Sequence, residues 1–205
     1  IAHTFSTLGT GGFSTKNTSI AFYNSKAIEW ICTIFMILAG INFSLYFKLF
    51  TGNGKELTSN TEFKAYLGIL LTSIFIVTFA NLDQYQSFFS IMSTTGFATQ
   101  NYLEWIPLAQ IILFFLMFIG GSSGSTSGGV KVIRWVILAK QATNESLKML
   151  HPHGIFSIRL NGRAGRNDVV YNVSAFFFLY ALLVLITTVI TTLGGSDILT
   201  SFTAS

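Results

Sequence analysis

Two stretches of this chain share one pattern, Thr-x-Gly-Phe-x-Thr, at Thr10, Gly12, Phe13, Thr15 and at Thr94, Gly96, Phe97, Thr99, a constant offset of 84 residues. Glycine and threonine at this density make a poor helix, yet each copy sits beside long apolar segments. Small residues let a backbone run extended with its carbonyl oxygens turned toward one point, and a ring of such oxygens replaces the water shell of a monovalent cation. The carbonyls of Thr10 and Gly11, and of Thr94 and Thr95, are the candidate coordinating groups. Gly12 and Gly96 follow them where a side chain would block the strand, and Phe13 and Phe97 close each pattern. A single Gly-Phe turn would mean little more than the end of a half-helix. Two copies in register, each preceded by a half-helix and followed by an apolar span, read as a pore lining.

A second chemistry-bearing segment is GGSSGSTSGG, running Gly120, Gly121, Ser122, Ser123, Gly124, Ser125, Thr126, Ser127, Gly128, Gly129 within an otherwise apolar stretch. From Trp105 to Gly120 a helix would rise only about 24 Å, so the break falls inside a bilayer about 30 Å thick. Flexible polar backbone at that depth must border the conduction path, which makes this segment a candidate gate beneath the filter. An ordinary loop between two shorter helices is the competing reading. A phosphate-binding loop is a poor alternative: Gly124 and Gly129 have the spacing, but Val130 stands where Lys is required, and Val132 follows Lys131 where Ser or Thr is needed. Gly9, Gly11 and Ser14 likewise fail a dinucleotide fingerprint. Lys131 and Arg134, one turn beyond, either hold the closed loop, repel cations at the inner mouth, or snorkel to the inner headgroups. Asn42 is polar at membrane depth, where an interhelical hydrogen bond is a better reading than an ion site. His3, His151 and His153 have no partners at ligand spacing.

The elements that must position these residues are membrane spans. The 205 residues are 51% hydrophobic and 10% charged, with 21 Phe and a mean hydropathy of +0.59, well below the usual charged fraction of about 25%. The net charge of +4 does not mark a nucleic-acid surface, because the basic residues avoid the apolar runs and cluster between them with few aromatics. Cys32 is the one cysteine, so a bridge within the chain is excluded, and it reads as a packed apolar residue.

Four apolar stretches are long enough to consider as spans: Ala27 to Phe50, Phe63 to Ala80, Ile106 to Lys140, and Val169 to Leu193. The second is at the lower limit of about 20 residues. Between the second and third, Tyr85 to Met92 reads as a re-entrant half-helix ending at the second pattern. Asp83, Ser87 and Phe88 are matched at an offset of 114 by Asp197, Ser201 and Phe202, so Asp197 to Ser205 reads as the start of another pore helix and Ile1 to Leu8 as the end of an earlier one. The expected fold is therefore all-α transmembrane, with repeated span, pore-helix, filter, span units. Residues 1–50 complete a second unit, 51–140 form a third, 141–167 a cytoplasmic linker, and 168–205 open a fourth. The chain reads as a piece of something longer. Ten of the twelve Lys and Arg residues fall opposite the filters, which places the filters outside. Trp30, Tyr102 and Trp105 stand where an outer aromatic belt is expected.

These segments resemble the pore subunit family of Trk-type potassium transporters, in the Trk/Ktr/HKT superfamily. HTFSTLGTGGFSTKN is similar to that family's second pore helix and filter, SIMSTTGFATQNY to its third, FIGGSSGSTSGGVKVIR to the intramembrane loop of its third unit, and LHPHGIFSIRLNGR to the linker before its fourth. The resemblance implies four non-identical units in pseudo-fourfold arrangement around one pore, with Gly12 and Gly96 as two of four selectivity glycines. It also implies a homodimer of pore subunits in the bacterial inner membrane, surrounded by lipid. A cytosolic nucleotide-binding regulatory subunit would control the loop Gly120 to Gly129. Potassium is then the substrate, no cofactor is required, and no covalent chemistry is done. A sodium- or proton-coupled symporter, or a non-selective sodium and potassium pathway, would share the architecture. A membrane-embedded enzyme would need a paired acid and base or metal ligands within the spans, and the spans offer none.

Overall fold

The computed structural model describes residues 1–17, 19–80, 105–151, 153–154, 156–164, 167–195 and 197–204. The second pattern (Thr94, Thr95, Gly96, Phe97), its half-helix and Tyr102 lie outside these residues. Helices dominate the described residues, with a single two-stranded antiparallel hairpin, β1 (Arg159–Leu160) and β2 (Arg163–Ala164). The chain divides into two compact units, Ile1–Val136 and Ile137–Ser205.

The first unit opens with α1 (Ala2–Leu8), which the first pattern follows directly, then a 3-10 turn (Ser19–Tyr23). The apolar run that reads as one span from Ala27 to Phe50 is two helices, α2 (Lys26–Ala39) and α3 (Phe43–Phe50), bent by 91° at Gly40, Ile41 and Asn42. The physical cause is local. Asn42 takes an extended conformation and its side-chain oxygen accepts the Ser44 N–H at 2.9 Å, an N-cap that starts a new helix. Gly40 supplies the close approach: a Cβ there would lie 2.4 Å from the Tyr66 hydroxyl. Asn42 therefore caps α3 and does not bridge helices.

After α4 (Lys55–Ser59), helix α5 (Thr61–Ala80) buries Tyr66, Leu70, Ser73 and Val77, one face at helical spacing. Its other faces, Leu71, Phe75 and Phe79, are exposed and equally apolar. Proline at the first turn starts α6 (Pro107–Phe118), whose Ala109, Leu113 and Leu116 pack with the α5 face, Ile41, Leu45 and Val132 into the core of this unit. Trp105, expected in an aromatic belt, belongs to that core at 3% exposure; Trp30 is exposed. The third apolar stretch is thus a helix of 12 residues, a non-helical segment, and α7 (Val132–Leu150), which continues ten residues beyond Lys140.

In the second unit, the rest of α7 is followed by the hairpin, α8 (Asn167–Leu193) and α9 (Ile198–Ala204). Among the described residues Asp168–Leu193 is the one unbroken helix long and apolar enough to cross a membrane; α2 and α3 qualify only as a bent pair. Thr187, Thr188, Thr191 and Thr192 of α8 each donate their hydroxyl four residues back, at 2.7 to 2.9 Å, so these polar atoms are satisfied within the helix where lipid could not serve them.

Candidate ion filter and the loop docked on it

The first pattern is built by the end of α1. The Gly9 N–H donates to Phe5 O at 2.8 Å and the Gly11 N–H to Ser6 O at 2.9 Å, so backbone donors of this stretch are spent on the last carbonyls of the helix. Thr10 and Gly12 then adopt left-handed conformations, with φ of +50° and +69°. That conformation is unfavourable for threonine and easy for glycine. No described residue donates to the carbonyl oxygens of Thr10, Gly11 or Gly12. Among the described residues the segment therefore offers acceptors without competing donors, which is what cation coordination needs. The Phe13 ring is largely exposed and its edge closes over Gly11, 3.2 Å from where a Cβ would stand. Ser14 is tied to the helix: its hydroxyl meets His3 Nε2 at 2.9 Å and accepts the Lys16 N–H at 3.1 Å. His3, which sequence reasoning left without a role, packs edge-on against Tyr23 with centroids 5.4 Å apart and anchors the far side of the pattern.

The segment Gly120 to Gly129 folds onto this structure as a loop closed at its neck. Ile119 and Val130 form a parallel bridge, with Gly120 N–H to Val130 O at 3.0 Å and Val130 N–H to Phe118 O at 3.3 Å. Its glycines are dictated by backbone approach: a Cβ on Gly120 would lie 2.0 Å from Gly128 O, and one on Gly121 would lie 2.8 Å from Gly40 O. Inside the loop, Gly121 N–H is held by the Ser127 hydroxyl at 2.9 Å and Ser125 N–H by Ser122 O at 3.1 Å.

The loop also completes the bend between α2 and α3. Ser122 N–H donates to Gly40 O at 2.8 Å, and Phe43 N–H donates to Gly124 O at 3.2 Å. A helix broken at membrane depth must find partners for the backbone groups it frees, and here the loop supplies them. At the tip, the Thr126 hydroxyl donates to Leu8 O at 2.7 Å, and the Thr10 hydroxyl lies 2.9 Å from Thr126 O and 2.8 Å from Gly9 O. The first pattern and the loop tip are thus in direct contact.

Two charged side chains hold the loop from below the tip. Lys131 is directed into the loop: its ammonium donates to Ser125 O at 3.2 Å, to Ser127 O, and lies 3.4 Å from the Ser125 hydroxyl. Of its sequence-level readings, the loop-holding one matches this geometry and headgroup snorkelling does not. Arg134, half-buried, sits one turn along α7. The Glu62 carboxylate, 6% exposed in the first turn of α5, accepts the Ser123 N–H. Sequence reasoning passed over Glu62. No local signal marked it, because its partner Ser123 lies 61 residues further along the chain. No cluster of His, Cys, Asp or Glu suited to a metal ion occurs among the described residues. The arrangement presents carbonyl oxygens that can coordinate a cation and seats the tip of the loop Gly120 to Gly129 against them.

The sequence matches a family model, TrkH, described as a cation transport protein, over residues 1–82 and 83–205. It is 35% identical over 216 aligned positions to the Trk system potassium uptake protein TrkH of Salmonella typhimurium, covering 98% of this chain and 45% of that protein. It is 33% identical to the Trk system potassium uptake protein TrkG of Escherichia coli, covering 98% and 44%. The crystal structure of the potassium transporter TrkH from Vibrio parahaemolyticus superposes with a TM-score of 0.91 at 33% identity, covering 98% of this chain and 47% of that one. The chain spans a little under half the length of the curated relatives it matches.

Proposed function

The chain belongs to the TrkH family of cation transport proteins, and from that premise we propose that it contributes the central part of a potassium-selective uptake pathway closed by the loop Gly120 to Gly129. Family members are membrane transporters, and the mostly helical fold matches a solved potassium transporter. The relatives are named for potassium uptake, which favours potassium as the transported ion. In this reading Thr10, Gly11, Gly12 and Phe13 form one filter strand, and Thr94, Thr95, Gly96 and Phe97 a second, in a pseudo-fourfold pore of which this chain carries parts of three units. Ions lose water at the outer face, pass by mutual repulsion, and are held back where the loop tip meets the first strand.

The observation that carries the proposal is the pair of contacts joining Thr126 to Leu8 and Thr10. A loop that touches the coordinating strand with its own hydroxyl can occlude the path or leave it, at the cost of only a few hydrogen bonds. The same reading places the basic residues at the cytoplasmic face of the inner membrane, where a nucleotide-binding subunit would bias the loop and a second pore subunit would complete a dimer. The test is flux in vesicles holding the full-length protein. Potassium uptake exceeding sodium uptake, and rising when the loop is displaced, is the expected result; equal uptake of both ions would overturn the selectivity assignment.

A further inference from the structure

The loop is gripped by groups of opposite charge on its two limbs. On the first limb, the Ser123 N–H is bound by Glu62. On the second, the Ser125 and Ser127 carbonyls are bound by Lys131. Between them stands Thr126, the residue that reaches Leu8. A carboxylate as deeply buried as Glu62 is costly, and its surroundings offset part of that cost: the first turn of α5 with its dipole, the Ser123 and Ile133 backbone N–H groups, and Lys131 within electrostatic reach. Of these groups Ser123 belongs to the loop, Lys131 lies between the loop and α7, and Ile133 is the second residue of α7. Moving the loop away would strip Glu62 of the Ser123 N–H, so the carboxylate favours the docked position.

We propose that Glu62 is the positioning residue that holds the loop in its docked state, acting through the Ser123 N–H and in concert with Lys131. This inference rests on the loop being the gate, and it concerns what keeps that gate shut. A charge-assisted hydrogen bond to a buried group is strong enough that its removal shifts the docked-to-released ratio by about tenfold. The docked state is therefore maintained by side chains outside the filter, and a change at α5 reaches the filter without touching it.

The experiment uses the full-length protein in vesicles, in a Cys32→Ser background with Ser125→Cys as a reporter of loop position. Two quantities are read: the rate of thiol labelling in the folded, monodisperse fraction, and basal potassium flux. Glu62→Ala is expected to raise labelling about tenfold. Glu62→Gln, which keeps an acceptor oxygen and the side-chain volume but loses the charge, is expected to raise it about threefold and carries the test if the alanine variant fails to fold. A residue that merely stabilises the fold would lower the melting temperature without changing labelling of the folded fraction. Unchanged labelling in Glu62→Gln together with unchanged flux, while deletion of residues 120–129 still raises flux, overturns the role of Glu62 and leaves the gate standing. Raised labelling with flux unmoved by both the substitution and the deletion upholds the positioning role and overturns the gate.

Discussion

Thr10 and Thr126, 116 residues apart in sequence, meet through their side chains and backbones: the Thr10 hydroxyl lies 2.9 Å from the Thr126 carbonyl, while the Thr126 hydroxyl donates at 2.7 Å to the carbonyl of Leu8, two residues before Thr10. Each threonine thus fixes the other's segment. Thr10 pays for this with a left-handed backbone, φ +50°, which places its hydroxyl beside the loop; among the described residues none donates to the carbonyls of Thr10, Gly11 or Gly12.

Replacing Thr126 by Val keeps the shape and removes the donor to Leu8 O. A side-chain hydrogen bond in a membrane interior contributes about 1 kcal/mol, so basal potassium flux is expected to rise roughly fivefold. Thr10→Val removes the reciprocal contact. Because both act on one interface, the double variant should leak little more than the stronger single one, with a coupling of about 1 kcal/mol in the cycle. Tracer efflux from vesicles measures all three; strict additivity would show that the contacts are independent.

The loop glycines are set by steric contact more than by flexibility, and melting in detergent can rank them. Gly120→Ala drives a Cβ to 2.0 Å from a backbone oxygen that has no rotamer to yield, and should cost about 3 kcal/mol or more. Gly121→Ala, meeting Gly40 O at 2.8 Å and the Ser127 Cβ at 2.7 Å, should follow. Gly68→Ala on α5, with nothing within 4 Å of the added carbon, should leave the melting temperature unchanged or slightly raised. Equal tolerance at Gly120 and Gly68 would contradict the packing.

Much of this was legible in the residues, and the exceptions share a cause. The Thr-x-Gly-Phe-x-Thr repeat and the glycine-serine run announce themselves because their composition conflicts with the apolar helices around them. α1, α8 and α9 lie where apolar length and the repeat of Asp197, Ser201 and Phe202 put them. The bend at Gly40 to Asn42 was missed although Gly40 and the capping Asn42 are local signs of it; what the run Ala27 to Phe50 does not show is which freed backbone groups find partners elsewhere. Those partners, Ser122 and Gly124, are some 80 residues away. Glu62 and the burial of Trp105 were missed for the same reason: each depends on a long-range contact that neither periodicity nor local spacing encodes.

Gly40 and Tyr66 give that bend its own test. The Tyr66 hydroxyl donates to Ile37 O at 3.2 Å and occupies the space a Cβ on Gly40 would need. Gly40→Ala alone should lower the melting temperature by several degrees, since overpacking costs about 1–3 kcal/mol. Adding Tyr66→Phe removes the clashing oxygen, at the cost of its hydrogen bond, and should restore part of the loss. A double variant worse than the sum of the two would mean the contact is not steric.

In the proposed filter, Gly12 has φ +69° and Ser there would add about 1–2 kcal/mol of backbone strain. The strand should relax out of its carbonyl-presenting conformation, so Gly12→Ser is expected to lower the ratio of potassium to sodium uptake. Gly96→Ser, its counterpart 84 residues on, should do the same to a similar degree if both strands line one path. Competition between the two ions in vesicle uptake reads the ratio directly, and an unchanged ratio in both variants would remove these glycines from the filter.

Deleting residues 120–129 separates the occluding role proposed for the loop from its structural one. As an occluding element its loss should raise leak flux well above that of Thr126→Val, because every contact at the tip goes with it. As a structural element its loss strips partners from Gly40 O and Phe43 N–H at the bend between α2 and α3. Unsatisfied backbone groups in a membrane interior cost several kcal/mol each, so the deletion should also lower the melting temperature markedly, which Thr126→Val should not. The decisive comparison is therefore flux per folded molecule. If the deletion leaks more per folded molecule than the point variant, the loop closes the path; if it merely yields less folded protein with the same unit flux, the loop serves the bend and the gate lies elsewhere.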